Sequence, residues 1–259
     1  MRRFERIFAA ARGRAALIPY LTVGAPSLAA TREAALALVS SGADILELGV
    51  PFSDPVADGP VIQAASQRAL AQGVGLAQVL ELARELRRAS EVGLLLFSYY
   101  NPLLQYGLEA LAREAAAAGC DGVLITDLIP EEAEPCRGLL QAAGLDTVFL
   151  AAPTSTPQRL AAIAAASSGF IYAVSRLGVT GGGTEIDSSR ELITNLRRCT
   201  RLPVAVGFGI ARADQVAAVA QYADGAVVGS ALMRALMAAT PGREAAAAAA
   251  CLRELRPES

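Results

Sequence analysis

The sequence predicts an α/β fold, a closed (β/α)₈ barrel of parallel strands with an extra helix at its N-terminus. Short apolar runs recur along the chain, continuous rather than alternating, the pattern of strands buried on both faces of a parallel sheet. Segments of helical character separate them in strict alternation, and eight strands so arranged favour ring closure over an open sheet. The length of 259 residues suits a barrel that needs about 250 residues as one unit. A doubly wound sheet is the rival, but no Gly-x-Gly-x-x-Gly follows the first strand. No linker divides the chain, so residues 1–259 are expected to form a single domain. A hydrophobic fraction of 53% and a mean hydropathy of +0.39 predict a large core. Trp is absent and Ala abundant, so that core is expected to be built of thin aliphatic side chains.

In chain order, Phe4, Ile7, Phe8 and Ala11 follow helical spacing and predict a short helix that plugs the barrel floor. Strands are expected at 16–21, 45–49, 94–98, 122–125, 147–150, 170–174, 204–207 and 226–229, bounded by Gly, Pro or Asp. Helices are expected between them at 29–41, 76–89, 108–118, 131–143, 157–166, 190–198 and 214–222, where Ala, Leu, Arg and Glu dominate. The alanine run at 245–250 is a further helix former. A short phrase recurs before strands two, four and eight: Gly42-Ala43-Asp44, Gly119-Cys120-Asp121 and Ala223-Asp224-Gly225. It reads as a helix stop and a turn more readily than as an internal repeat.

Composition excludes several function classes. The net charge is −2 and no Arg-rich run carries interleaved aromatics, so no nucleic acid partner is expected. No apolar run of about 18 residues is free of charge and helix breakers, so no membrane span is expected. The Arg-containing N-terminus lacks the apolar core of a signal peptide. Cys120, Cys136, Cys199 and Cys251 lie far apart without a Cys-x-x-Cys pair, and read as reduced thiols of a cytoplasmic protein. No metal site is expected. The chain contains no His and no Lys; all 23 basic residues are Arg, which stays protonated. Proton transfer near neutral pH therefore falls to Asp and Glu, with Tyr and Cys as weaker candidates.

Active sites of such barrels lie at the C-terminal ends of the strands. In strand two, Ile45, Glu47 and Gly49 share one face and Leu46 and Leu48 the other. If the leucines pack on the helix layer, Glu47 points into the barrel, where burial raises a carboxyl pKa and suits an acid/base group. A structural Glu bonded to Arg or to backbone amides is the alternative. Asp58 ends a loop stiffened by Pro51, Pro55, Gly59 and Pro60. Asp54 and Asp58 are also ordinary turn formers, a reading that suits Asp54 better. Glycine-rich stretches follow the last three strands: Gly178 to Gly183, Gly207-Phe208-Gly209 and Gly229-Ser230. Three in register point to a phosphate site built from backbone N–H groups and a helix N-terminus. The stretch at 177–188 suits a mobile lid or a plain surface loop.

These residues resemble the tryptophan synthase alpha subunit family over essentially the whole chain. The specific match is Leu46 to Pro55 with Ala57-Asp58-Gly59-Pro60; Tyr99-Tyr100-Asn101-Pro102, Ser175-Arg176, Gly178-Val179-Thr180-Gly181, Gly207 to Ile210 and Gly229-Ser230 follow in order. The resemblance implies a lyase of L-tryptophan biosynthesis that cleaves indole-3-glycerol phosphate to indole and glyceraldehyde 3-phosphate. It implies catalytic roles for Glu47, Asp58 and Tyr172, phosphate contacts at Gly181, Phe208, Gly209, Gly229 and Ser230, and a lid containing Thr180 and Arg176. Asp54, Pro55 and Asn101 fall where the family meets its beta subunit, in an alpha₂beta₂ heterotetramer. Pyridoxal phosphate is expected in that partner and no cofactor in this chain. Tyr20, Thr22, Ile62, Leu95 and Leu124 are expected near the indole pocket. One departure is Gly182-Gly183, where the family commonly has a bulkier residue and Arg.

Retro-aldol cleavage needs a place for the electrons left behind, commonly a lysine Schiff base or a metal, often held by His. Without Lys or His, the substrate itself is the expected electron sink: protonation at indole C3 yields a cation that departs as neutral indole. Two other readings stay open, a free-standing indole-3-glycerol phosphate lyase and a non-catalytic phosphate-ligand-binding regulatory barrel.

Overall fold

The structure is a computed structural model and describes residues 1–174, 184–207 and 209–256. Its strands are β1 (Ala16–Thr22), β2 (Ile45–Gly49), β3 (Gly93–Ser98), β4 (Gly122–Ile125), β5 (Asp146–Val148), β6 (Leu150–Ala151), β7 (Ile171–Val174), β8 (Val204–Gly207) and β9 (Gly225–Val228). They form one parallel sheet in the order β5-β4-β3-β2-β1-β9-β8-β7-β6. Only Phe149 separates β5 from β6, so the two ends of the sheet are halves of the single strand expected at 147–150. The sheet thereby comes round on itself as a ring of eight strand positions, the expected (β/α)₈ barrel.

Around it lie α1 (Arg3–Ala10), α2 (Leu28–Ser40), α3 (Pro60–Leu70), α4 (Leu76–Ala89), α5 (Tyr100–Tyr106) and α6 (Leu108–Ala117). They are followed by α7 (Glu134–Ala142), α8 (Pro157–Ala166), α9 (Thr184–Cys199), α10 (Ala213–Val219), α11 (Ser230–Ala238) and α12 (Glu244–Glu254). The expected start of α7 at 131 is early by about a turn, the helix beginning at Glu134: Glu132 and Ala133 donate to the carbonyls of Ile129 and Pro130 instead of entering it. Helices α3, α5 and α11 are additions to the expected set. For α3 the signal is present in Pro60 at the first helical position and in the buried stripe Ile62, Ala65, Ser66 and Ala69.

Helix α1 closes the floor as its spacing predicts. Phe4 and Phe8 enter the barrel interior with Ile18, Ile45, Leu95 and Leu124. Phe170 meets the ring of Phe4 edge-on at 5.5 Å between centroids and that of Phe8 at 5.4 Å. Glycines at the strand entrances make the room. A methyl group on Gly122 would lie 2.8 Å from Phe4, and one on Gly93 would lie 2.9 Å from Ile7.

The recurring Asp phrase has a tertiary purpose beyond a turn. Asp44, Asp121 and Asp224 accept the first free strand N–H of a neighbour, from Leu17, Leu94 and Val204 at 2.8, 2.8 and 2.7 Å. Each also pairs with an arginine: Arg14, Arg87 and Arg197, with Arg3 as a second partner of Asp121. Strand entrances at the floor are thus satisfied by side chains, as buried backbone donors require.

Candidate active site

The alternation read in β2 holds. Leu46 and Leu48 pack between sheet and helices while Ile45 joins the interior cluster, which turns Glu47 inward. Glu47 is 0% exposed, and neither carboxyl oxygen has a hydrogen-bond partner among the described residues. Burial therefore pushes its pKa well above the usual carboxylate range, favouring the protonated form. A structural Glu held by Arg or backbone amides finds no support among the described residues.

Glu47 opens on a cavity of about 200 Å³ at the C-terminal ends of the strands, whose walls include Tyr20, Ile62, Phe97, Tyr172 and Val227. Parallel register sets Tyr20 of β1 beside Glu47 and Glu47 beside Leu95. The Tyr20 ring stands edge-on to Phe97 at 5.2 Å, and its hydroxyl accepts a hydrogen bond from Thr22 at 3.2 Å. Tyr20 and Tyr172 lay their hydroxyls over Gly49 and Gly207, where any side chain would overlap them. Tyr172 is buried, and desolvation followed by the charges of Glu47, Tyr20 and Asp58 raises its phenol pKa, so it stays protonated. Leu95 and Leu124, expected as pocket lining, belong instead to the interior cluster beneath the cavity, while Thr22, buried too, stays beside it through its bond to Tyr20. The next inward position of β3, Phe97, reaches the cavity in their place.

Asp58 also faces this cavity. Its loop is held by Tyr99, which follows β3: the Ala57 N–H donates to the Tyr99 hydroxyl oxygen at 2.9 Å, and the Phe52 and Tyr99 rings pack at 5.2 Å. The Tyr99 hydroxyl in turn donates to the Asp58 carboxylate. Burial raises the Asp58 pKa to about 6, and the bond from Tyr99, which favours the anion, restrains that rise. Tyr99→Phe should therefore move the acid limb of the kcat/KM profile to higher pH. Activity at pH 6 should fall several-fold more than at pH 8, and a limb that stays at its wild-type pH would remove Tyr99 from the ionisation of Asp58. Asp54, by contrast, is exposed in a turn where the Val56 N–H donates to its carbonyl at 3.0 Å.

Gly209 and Gly229-Ser230 close the far side of the cavity. Gly209 has φ +84°, a left-handed conformation that favours glycine. Gly229 is the N-cap of α11 and offers no side-chain cap, so the first-turn N–H groups from Ser230 onward remain available to an anion. Arg176, Thr180, Gly181, Gly182, Gly183 and Phe208 lie outside the described residues. Sequence reasoning did not single out Arg234, which also lines the cavity; its signal was its place four residues after Ser230 on one helix face. A second cavity of about 640 Å³, lined in part by Arg2, Asp146 and Ser168, lies at the floor, the face associated with stability rather than chemistry. Among the described residues, no group of three or more His, Cys, Asp or Glu side chains is placed to hold a metal ion. Among them, too, no helix is long and apolar enough to cross a membrane.

Carboxyl groups of contrasting ionisation around a cavity at the strand ends define the chain as a (β/α)₈-barrel enzyme. Residues 8–256 match the family model described as tryptophan synthase alpha chain. The chain is 52% identical to the tryptophan synthase alpha chain of Solibacter usitatus over 90% of this chain and 89% of the relative. It is 48% identical to that of Roseiflexus sp. over 99% and 100%. Among solved structures, aminoacrylate-bound tryptophan synthase from M. tuberculosis superposes with a TM-score of 0.90 at 40% identity, covering 98% of both chains. Tryptophan synthase subunit alpha from Legionella pneumophila does so with 0.90 at 36%, covering 99% and 97%. The chain belongs to the tryptophan synthase alpha chain family, lyases of tryptophan biosynthesis that act on indole-3-glycerol phosphate. An alpha chain implies a beta-chain partner.

Proposed function

We propose that Glu47, Asp58 and Tyr172 carry the cleavage of indole-3-glycerol phosphate to indole and glyceraldehyde 3-phosphate in this chain. The observation that carries the reading is the pairing of two acids on one cavity, Glu47 biased strongly toward its protonated form and Asp58 with a pKa of about 6. At neutral pH that arrangement supplies one proton donor and one anion.

Glu47 delivers its proton to indole C3, and the ionised Asp58 accepts the indole N–H and stabilises the cation that forms. The bond from C3 to the glycerol side chain then breaks and its electron pair returns to the ring, which leaves as neutral indole. The side-chain hydroxyl loses its proton to the Glu47 carboxylate and becomes the aldehyde of glyceraldehyde 3-phosphate, so the acid is regenerated. Tyr172, held protonated by burial, assists as a hydrogen-bond donor. Gly209, Gly229 and Ser230, with Gly181 and Phe208, hold the phosphate through backbone N–H groups. Thr180 and Arg176 belong to the lid.

Asp54, Pro55 and Asn101 belong to the face that meets the beta subunit. Three large apolar side chains support this: Val56, Leu104 and Ile129 are 86%, 48% and 43% exposed, after the adjacent strands β2, β3 and β4. The assembly is an alpha₂beta₂ heterotetramer in the cytoplasm whose beta subunit carries pyridoxal phosphate, and residues 1–259 form one domain. Indole release by the purified chain, measured with and without added beta subunit, tests this. Release that the beta subunit accelerates is the expected result. Fast release indifferent to the beta subunit points to a free-standing lyase, and no release with phosphate binding intact points to a regulatory barrel.

A further inference from the structure

We propose that Arg234 is a substrate-binding residue that grips the phosphate group from the second turn of α11, supplying its positive counter-charge. The proposal rests on the functional reading above for the identity of the ligand, and on geometry for the residue. Arg234 lines the same cavity as Gly209, Gly229 and Ser230 and is the cation among its described lining residues. Ser230 and Arg234 are four apart on α11, one above the other on a single face. Side chains on a helix lean back toward its N-terminus, so the guanidinium is carried toward the uncapped amides of the first turn.

Arg234 is exposed and has no hydrogen bond or ion pair among the described residues, and α11 (Ser230–Ala238) contains no acidic residue. Other surface arginines are engaged, as Arg32 is with Glu85 and Arg212 with Asp214, or free among the described residues, as Arg12 and Arg243 are; Arg234 differs from the free ones in lining this cavity. The charge balance of the cavity gives the free guanidinium its purpose. Asp58 is the anion of the pair at neutral pH, Glu47 being held protonated, and a phosphate ester adds further negative charge to the same space. Backbone amides and a helix end offer about half a positive charge. With no Lys or His in the chain, a full counter-charge has to come from Arg. A planar guanidinium also matches two phosphate oxygens at once.

Steady-state indole release by wild type, Arg234→Gln and Arg234→Lys, at several NaCl concentrations, tests the proposal, with inorganic phosphate as a competitive inhibitor. Arg234→Gln should raise both KM and the inhibition constant of phosphate by about tenfold, with kcat changing much less. Its KM should respond less steeply to salt than that of wild type, a readout that a structural role for the side chain would leave unmoved. Arg234→Lys should recover part of the loss, because it restores charge without the fork. Values for Arg234→Gln within twofold of wild type at every salt concentration would overturn the proposal. Calorimetric titration with inorganic phosphate separates the two readings. Phosphate binding that depends on Arg234 in a protein releasing no indole would sink the cleavage reading alone. Indole release indifferent to Arg234 would sink this proposal alone.

Discussion

Glu47→Gln is expected to lower kcat for indole release by about 10²–10⁴-fold, the usual contribution of a general acid/base. Gln keeps the shape of the side chain and removes the proton that indole C3 needs. Inorganic phosphate should still bind, since its site lies across the cavity at α11. Stability supplies a second readout with a definite sign. The Glu47 carboxyl has its pKa raised in the folded chain, so above about pH 4.5 the unfolded chain ionises first and folding loses stability as pH climbs. Gln does not titrate, so the variant should become progressively more stable than wild type above that pH and show no such gain below it. Urea titrations at pH 4 and pH 8 measure the difference. Near-wild-type turnover would end the assignment of Glu47 as proton carrier, and an unfolded variant would contradict the stability argument.

Asp58→Asn is expected to lower kcat by about 10²–10³-fold, the scale of losing one preorganised electrostatic partner of a developing charge. The amide oxygen of Asn still accepts the indole N–H but carries no charge to stabilise the cation. The pH profile identifies the cause. In wild type the anion is required, so kcat/KM should fall as pH drops through about 6, the value to which burial raises Asp58. The residual activity of Asp58→Asn should lack that limb. If the limb persists in the variant, it belongs to another group and the role given to Asp58 fails.

Local pattern was informative where the physics is local. Alternation along β2 set Glu47 on the face opposite Leu46 and Leu48, because successive side chains of a strand must point to opposite faces. Helical spacing likewise identified Phe4 and Phe8 as the floor plug, both now buried against Phe170. Loop chemistry separated Asp54 from Asp58 correctly in kind, one in an exposed turn and one at the cavity.

What stayed illegible depended on partners distant in the chain. Tyr99 stands 42 positions from Ala57, and only the adjacency of β2 and β3 lets its hydroxyl hold the Asp58 loop. Asp44, Asp121 and Asp224 looked like turn residues because the N–H groups they accept belong to neighbouring strands. Leu95 and Leu124 were apolar and inward-facing, yet depth within the ring seals them away from the cavity and gives the wall to Phe97.

Composition alone dictated that this chemistry runs on carboxylates, since a chain without Lys or His has neither a Schiff-base amine nor an imidazole to offer. Strand periodicity separated Glu47 from Leu46 and Leu48, and the packing of those leucines made its face the inner one. The ionisation of the two acids waited on the closed barrel: desolvation depends on what the whole ring packs around a carboxyl, and it leaves Glu47 without a partner while giving Asp58 the hydroxyl of Tyr99. The cation at Arg234 emerged by the same route, because only the closing of the ring sets α11 over a cavity shared by strands from both ends of the sequence.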